Sequence, residues 1–138
     1  MTIFSGRRPR ALGIHDGRLR DCPPSPNCAC SDASRDSHRV DAFRLVKAPA
    51  EAWRAVRESV EALPRTRVIT DTGTYLHAEC RSALFGFVDD LELQLRADDG
   101  LVAVRSASRI GYSDLGVNGE RVRGLRRELV QRGVVAPG

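Results

Sequence analysis

Apolar and polar residues alternate along the second half of the chain, and the alternation predicts an antiparallel sheet. In Tyr75 to Ser82, Leu76, Ala78 and Cys80 fall on one face and His77, Glu79 and Arg81 on the other. Phe87 to Arg96 repeats the pattern, with Leu91, Leu93 and Leu95 inward and Asp90, Glu92 and Gln94 outward. Leu101 to Ser108 sets Val102 and Val104 against Ala103 and Arg105. Asp98-Asp99-Gly100 is a hairpin signal, and Gly73 marks the turn after a short β-branched strand at Thr66 to Thr70. Val40 to Leu45 alternates as well and reads as a short strand.

Two stretches carry a helical period instead. Pro49 suits a first helical turn, and Ala52, Val56, Val60 and Leu63 recur at helical spacing through Ala50 to Leu63, with Trp53 alongside and Pro64 as the stop. Asn118 reads as the N-cap of a second helix, Gly119 to Gln131, with Val122, Leu125, Leu129 and Val130 as its apolar stripe. The order helix, meander, helix predicts an α+β fold: four to five antiparallel strands with both helices on one face. Residues 1–39 show no period. Pro23, Pro24 and Pro26 forbid a helix there, so this arm is either disordered or wrapped over the domain, packed from about residue 12, with its first dozen residues frayed. The expected organisation is an arm over 1–39, one domain over 40–132 and a tail over 133–138.

The meander brings separated polar motifs together. Antiparallel pairing sets Arg81-Ser82 beside Val88-Asp89-Asp90, and the next strand ends beside the same residues with Arg105-Ser106-Ala107-Ser108-Arg109. Between Ser82 and Phe87 the turn is Ala83-Leu84-Phe85-Gly86; beyond Arg109 the chain continues through Gly111, Tyr112, Ser113, Asp114, Gly116 and Asn118. Parity turns Asp89 towards the buried face, where a carboxylate needs a partner: Arg109 or Arg81 through a bulge, Ser106 and Ser108, or amides of the 110–118 loop. Glu79, Arg81, Asp90, Glu92 and Arg105 project from the opposite face. As a solvated surface laced with weak ion pairs they carry no function. As an arginine pair they grip a carboxylate or phosphate.

Composition narrows the class. The chain has 138 residues, 41% hydrophobic and 29% charged, enough for one globular domain with a core of its own. The net charge of +4 comes largely from arginines near the two ends, and Lys47 is the sole lysine. Aromatic content is 5%, and the basic residues are not interleaved with aromatics, which argues against a nucleic-acid platform. No apolar run suggests a signal peptide or a membrane segment, so a soluble, cytoplasmic protein is expected. Cys22, Cys28 and Cys30 lack zinc-knuckle spacing, and no metal or cofactor is implied. A Cys22–Cys28 disulfide requires the prolines to fold the loop back; a nucleophilic Cys28 or Cys30 requires a base, with His38 nearest in sequence. Packing or loop roles are the expectation, with Cys80 buried in its strand and His15, His38 and His77 at surface or loop positions.

Three strings then point to a family. Cys22-Pro23-Pro24-Ser25-Pro26-Asn27-Cys28, after Gly17-Arg18-Leu19, is the first. Arg81-Ser82 with Phe85-Gly86-Phe87-Val88-Asp89-Asp90 and Glu92 is the second; Arg105 to Arg109 with Gly111-Tyr112-Ser113-Asp114, Gly116 and Asn118 is the third. Together they resemble the bacterial and plastid family called domain of unknown function 1499, over about Leu12 to Leu129. The resemblance implies no activity, and it departs at Ala29 and Cys30, where the family usually has Val-Ser. It implies that the arm around Cys22, Asn27 and Cys28 packs against the sheet edge. The candidate ligand residues are Arg81, Ser82, Asp90, Arg105, Arg109, Tyr112, Asp114 and Asn118, with Asp89, Ser106 and Ser108 as structural polar groups. The expected function is binding of a small anionic or polar ligand. The alternatives are a structural or protein-interaction module, and a hydrolase-like enzyme using Asp89 or Asp90 with arginine charge stabilisation.

Overall fold

The alternating stretches pair as a meander in a computed structural model, which describes residues 8, 9, 12–83, 86–111 and 113–138. The elements in chain order are β1 (Ile14–His15), β2 (Arg18–Leu19), β3 (Cys28–Cys30), β4 (Phe43–Arg44), α1 (Pro49–Glu61), β5 (Thr66–Asp71), β6 (Tyr75–Arg81), β7 (Val88–Arg96), β8 (Leu101–Ser108) and α2 (Val117–Gln131). The main sheet runs β3-β8-β7-β6-β5, and β4 pairs with the other half of β8. All of its pairings are antiparallel. The fold is α+β, with six strands in the main sheet rather than four or five.

Both helices cover one face. Leu76, Ala78 and Cys80 of β6, Leu91 and Leu93 of β7, and Val102 and Val104 of β8 pack with Ala52, Val56 and Val60 of α1 and Val122, Leu125 and Leu129 of α2. Pro49 stands in the first turn of α1, as its fixed φ and missing N–H favour. The second helix begins earlier than its sequence suggests. Gly116, at φ 82°, is its N-cap, and Asn118 lies inside the first turn, fully buried. The physical reason is Asp114: its carboxylate accepts from the Gly116 and Asn118 amides at 2.7 and 3.0 Å, so the Asn118 side chain is released for other partners. Val134 and Val135 of the tail are buried, and Val135 bridges to Leu45.

The arm covers the other face. Its first device is a tight β1–β2 hairpin turned by Asp16 and Gly17, both at positive φ, the conformation a two-residue hairpin loop demands. Its second is β3, which pairs Cys28 with Ala107 and Cys30 with Arg105 along the edge of the sheet. Leu19, Cys22, Cys28, Cys30 and Ala33 then close over Ala103 and Ala107 as a second, smaller core. Arg96 forks onto Asp32, and Gln94 donates to the Gly17 carbonyl at 2.9 Å, which ties arm to sheet. A disulfide links Cys22 to Cys28, so the prolines do fold the loop back. Residues 1–7, where fraying is expected, lie outside the described residues.

Candidate functional site

The face expected to be solvated is a buried layer of charge. Asp90 is 1% exposed and Glu92 0%; His77, Glu79 and Arg105 are also buried. Register explains the grouping: Glu79 pairs with Asp90, His77 with Glu92, and Glu92 with Arg105. Alternation correctly separates these residues from the helix side, but the arm removes them from water.

Each charge in the layer has a partner. Arg109 donates to both oxygens of Asp90 at 2.8 Å and also bonds Glu79. His77 Nε2 lies 2.7 Å from Asp90, and Arg8 donates to Glu79 at 2.7 Å. Glu92 accepts from the Tyr75 hydroxyl at 2.7 Å, the Gly13 amide at 2.8 Å and Arg105 at 3.4 Å. Three carboxylates therefore meet three guanidiniums. Burial alone would raise the Asp90 and Glu79 carboxyls. The Arg109 guanidinium, with His77 on Asp90 and Arg8 on Glu79, outweighs burial and holds both below the ordinary carboxylate range. Burial and the Glu92 charge push the Tyr75 hydroxyl up.

The layer leaves little for chemistry. His77, Glu79 and Asp90 offer ligand atoms within 4.8 Å of one another, a metal-like spacing. Arg109 already supplies the cation there. Arg105 and Arg109, expected to grip an anion, spend their charge on internal carboxylates. His77 and His38 are buried rather than on the surface; His38 Nε2 lies 2.9 Å from the Ser25 carbonyl, inside the disulfide-closed loop. Cys30 is a buried thiol that burial pushes up to about 11, far from a nucleophilic thiolate.

An open site lies at the end of the sheet instead. A cleft of about 360 Å³ is lined by Ser82, Phe87, Val88 and Asp89 on one side and by Ser108, Ile110, Gly111, Ser113, Asp114, Leu115 and Val117 on the other. Phe87, Ile110, Leu115 and Val117 are four of the six exposed large apolar side chains among the described residues. Leu115 is 93% exposed and sits at φ 55°, a left-handed conformation that leucine rarely adopts. The polar groups of the lining are largely engaged. Asp89 faces the helices, as parity requires, but its partner is Arg121 of α2 at 2.9 Å, rather than Arg81, Arg109 or the loop. Helical spacing carries Arg121 onto that face, a partner not legible from strand parity alone.

Asn118 and Asn27, both buried, brace residues that line this cleft. The Asn118 amide donates to Ser108 Oγ at 2.9 Å, to Asp114 at 2.7 Å and to the Asn27 carbonyl at 3.1 Å, and its oxygen accepts from Ser106. Asn27 donates to the Gly111 carbonyl at 2.8 Å, and its own carbonyl accepts from the Ser108 amide at 3.0 Å. The disulfide loop of the arm thus meets the 110–118 loop at the same place.

Of the candidate ligand residues, then, Ser82 and Asp114 line the cleft, Asn118 supports it, and Arg81 stands exposed beside it. Asp90, Arg105 and Arg109 belong to the layer under the arm. Tyr112, and Leu84 and Phe85 of the expected turn, lie outside the described residues. Sequence reasoning missed Ile110, Leu115 and Val117, whose signal is three large apolar residues in a glycine-rich loop.

Among the described residues no helix is long and apolar enough to cross a membrane. No curated protein and no solved structure matches the chain. A family model does match, over residues 18–129, which takes in the arm from β2 onward, the whole sheet and most of α2; the chain belongs to that family, described as a protein of unknown function (DUF1499).

Proposed function

We propose that this protein is a binding domain whose ligand enters the cleft at the sheet end. The observation that carries this reading is the gathering of Phe87, Ile110, Leu115 and Val117, exposed, around one concavity. Exposed apolar side chains scattered singly need no explanation, but several at one cleft mark a binding site. Leu115 adds weight, because a strained backbone that displays an apolar side chain to water serves no packing purpose.

The lining favours a ligand with an apolar body and a hydrogen-bonding group. It carries Asp89 and Asp114 and no lysine or arginine among the described residues, so a small anion held inside the cleft has no cation to meet it. The hydroxyl oxygens of Ser82, Ser108 and Ser113 each accept a bond within the protein, which leaves their O–H groups to donate to a neutral polar acceptor. A hydrolase reading has less support: both Asp90 oxygens are engaged by Arg109, and the described lining has no histidine or cysteine.

Nile red, a neutral dye that brightens in apolar sites, tests the proposal. The native protein should bind it saturably, and Leu115→Ser with Val117→Ser should weaken binding at least tenfold without loss of fold. Absence of binding by the native protein, or binding indifferent to both substitutions, would overturn it.

A further inference from the structure

The surroundings of the cleft say what presents the apolar group. Arg65 and Arg81 stand at the same sheet end. The Arg81 amide donates to the Arg65 carbonyl at 3.0 Å, Arg65 Nε returns a bond to the Arg81 carbonyl at 3.1 Å, and Arg81 pairs across the sheet with Val88 of the cleft wall. Both arginines are exposed, and among the described residues neither guanidinium is in an ion pair. Most acids nearby are ion-paired. Asp89 is paired with Arg121; Asp114 keeps its charge, its two oxygens held by the amides of Gly116 and Asn118 and not by a cation. Glu61 shares Arg57 with Asp71, and Glu120 is paired with Arg123 and Arg127. The end therefore offers apolar side chains with two unpaired guanidiniums beside them against the one unpaired carboxylate of Asp114, a net positive charge.

Building on the cleft reading, we infer that the sheet end docks on the surface of an anionic lipid bilayer, with Leu115, Val117, Ile110 and Phe87 entering the acyl boundary and Arg65 and Arg81 meeting the headgroups. A bilayer supplies both complements at once: an apolar interior and, a few ångströms away, a sheet of negative charge. The net charge of +4 favours approach in any orientation, and the apolar end selects one. A soluble anion would meet the arginines but not the apolar residues, and a neutral apolar molecule would leave the arginines without a role. Each alone explains half of the surface.

Vesicle flotation tests this, with vesicles of phosphatidylcholine alone beside vesicles in which three parts in ten are phosphatidylglycerol. The full chain should float with the anionic vesicles and much less with the neutral ones, and binding should fall at high salt, where the screening length drops to about 3 Å at ~1 M. Arg65→Gln and Arg81→Gln should each lower partitioning about fivefold while leaving Nile red binding unchanged. Leu115→Ser with Val117→Ser should weaken both at least tenfold. A protein that binds Nile red but floats with neither vesicle overturns the bilayer and leaves the cleft reading standing; failure to bind either overturns both. Equal flotation with the two compositions overturns the role of the arginines. Self-association that depends on Leu115, without flotation, assigns the end to a second copy of the chain and overturns the proposal.

Discussion

The two faces of the sheet are buried by opposite means. On the helix side, Leu76, Leu91, Leu93, Val102 and Val104 meet apolar stripes of α1 and α2, and contact is a matter of volume. On the arm side, Glu79, Asp90, Glu92, Arg105 and His77 are equally hidden, but what covers them is a strap with little regular structure, held by a hairpin, an edge strand, a disulfide and hydrogen bonds. The first face tolerates swaps of one apolar side chain for another of equal volume. The second tolerates none of charge, because a carboxylate left without its guanidinium has no water to turn to. A row of alternating charges on a strand need not be a surface.

The largest expected effect breaks the arm side. Arg109→Met leaves Asp90 and Glu79 buried with one fewer cation and should cost about 3–5 kcal/mol in denaturant unfolding, as much as Leu91→Ala on the helix side at roughly 2–5 kcal/mol. A second step separates the two faces. Adding Glu79→Gln and Asp90→Asn to Arg109→Met should restore part of the loss, whereas no charge change should rescue Leu91→Ala. If Arg109→Met costs under about 1 kcal/mol, the layer is wetter than described.

Next in size is the strap itself. Removing the disulfide with Cys22→Ala and Cys28→Ala should cost about 2 kcal/mol, the chain-entropy value for so short a loop. Hydrogen exchange should rise first at Cys30, at Ser108 and at other amides the strap protects, while Leu93 and Val104 keep their protection. Uniform loss of protection would mean that the two faces unfold as one.

Acid sharpens the same contrast. Asp90 and Glu79 have folded-state values below their unfolded ones, so the unfolded chain binds protons first as pH falls. Their stabilisation is complete above the ordinary carboxylate range and is lost as pH drops through it, from about 5 towards 2. Stability should decline over that window in the native protein. The decline should shrink when Arg109 is replaced, since Arg109 is a main reason the two values are low.

Alternation at Leu91, Leu93 and Leu95 against Asp90, Glu92 and Gln94 is enough to find β7, its register and the two faces. It places Asp89 with the helices correctly. It cannot say what covers the second face, because a strand's parity distinguishes sides and not solvent from protein. Two hints were present: Asp16-Gly17 is a hairpin turn, and Ala103 and Ala107 make the second face of β8 small and apolar where an exposed face would be polar. The cover itself has no period to detect, since β1 and β2 have two residues each and the prolines and the disulfide set the rest. The cleft was half legible: its polar members follow from the meander, but Asn118, Arg121 and Leu115 owe their roles to where α2 begins.

The smallest expected effect on stability lies at the cleft. Leu115→Gly relieves the left-handed backbone and should leave the fold unchanged or more stable by up to about 1 kcal/mol. The same change should weaken Nile red binding severalfold. A gain of stability with a loss of binding is what a displayed functional residue gives, and parallel losses of both would make Leu115 a packing residue.

We propose that the charged layer is structure and that the apolar sheet end is the site. Amide chemical-shift mapping with octyl glucoside below its micelle concentration tests it most directly, because this amphiphile has an apolar chain and a neutral hydroxylated head. The expected shifts cluster at Ser82, Phe87 and Ile110 to Val117 and spare His77, Glu79, Asp90, Glu92 and Arg105. Shifts centred on those five residues, with the sheet end silent, would make the charged layer the site.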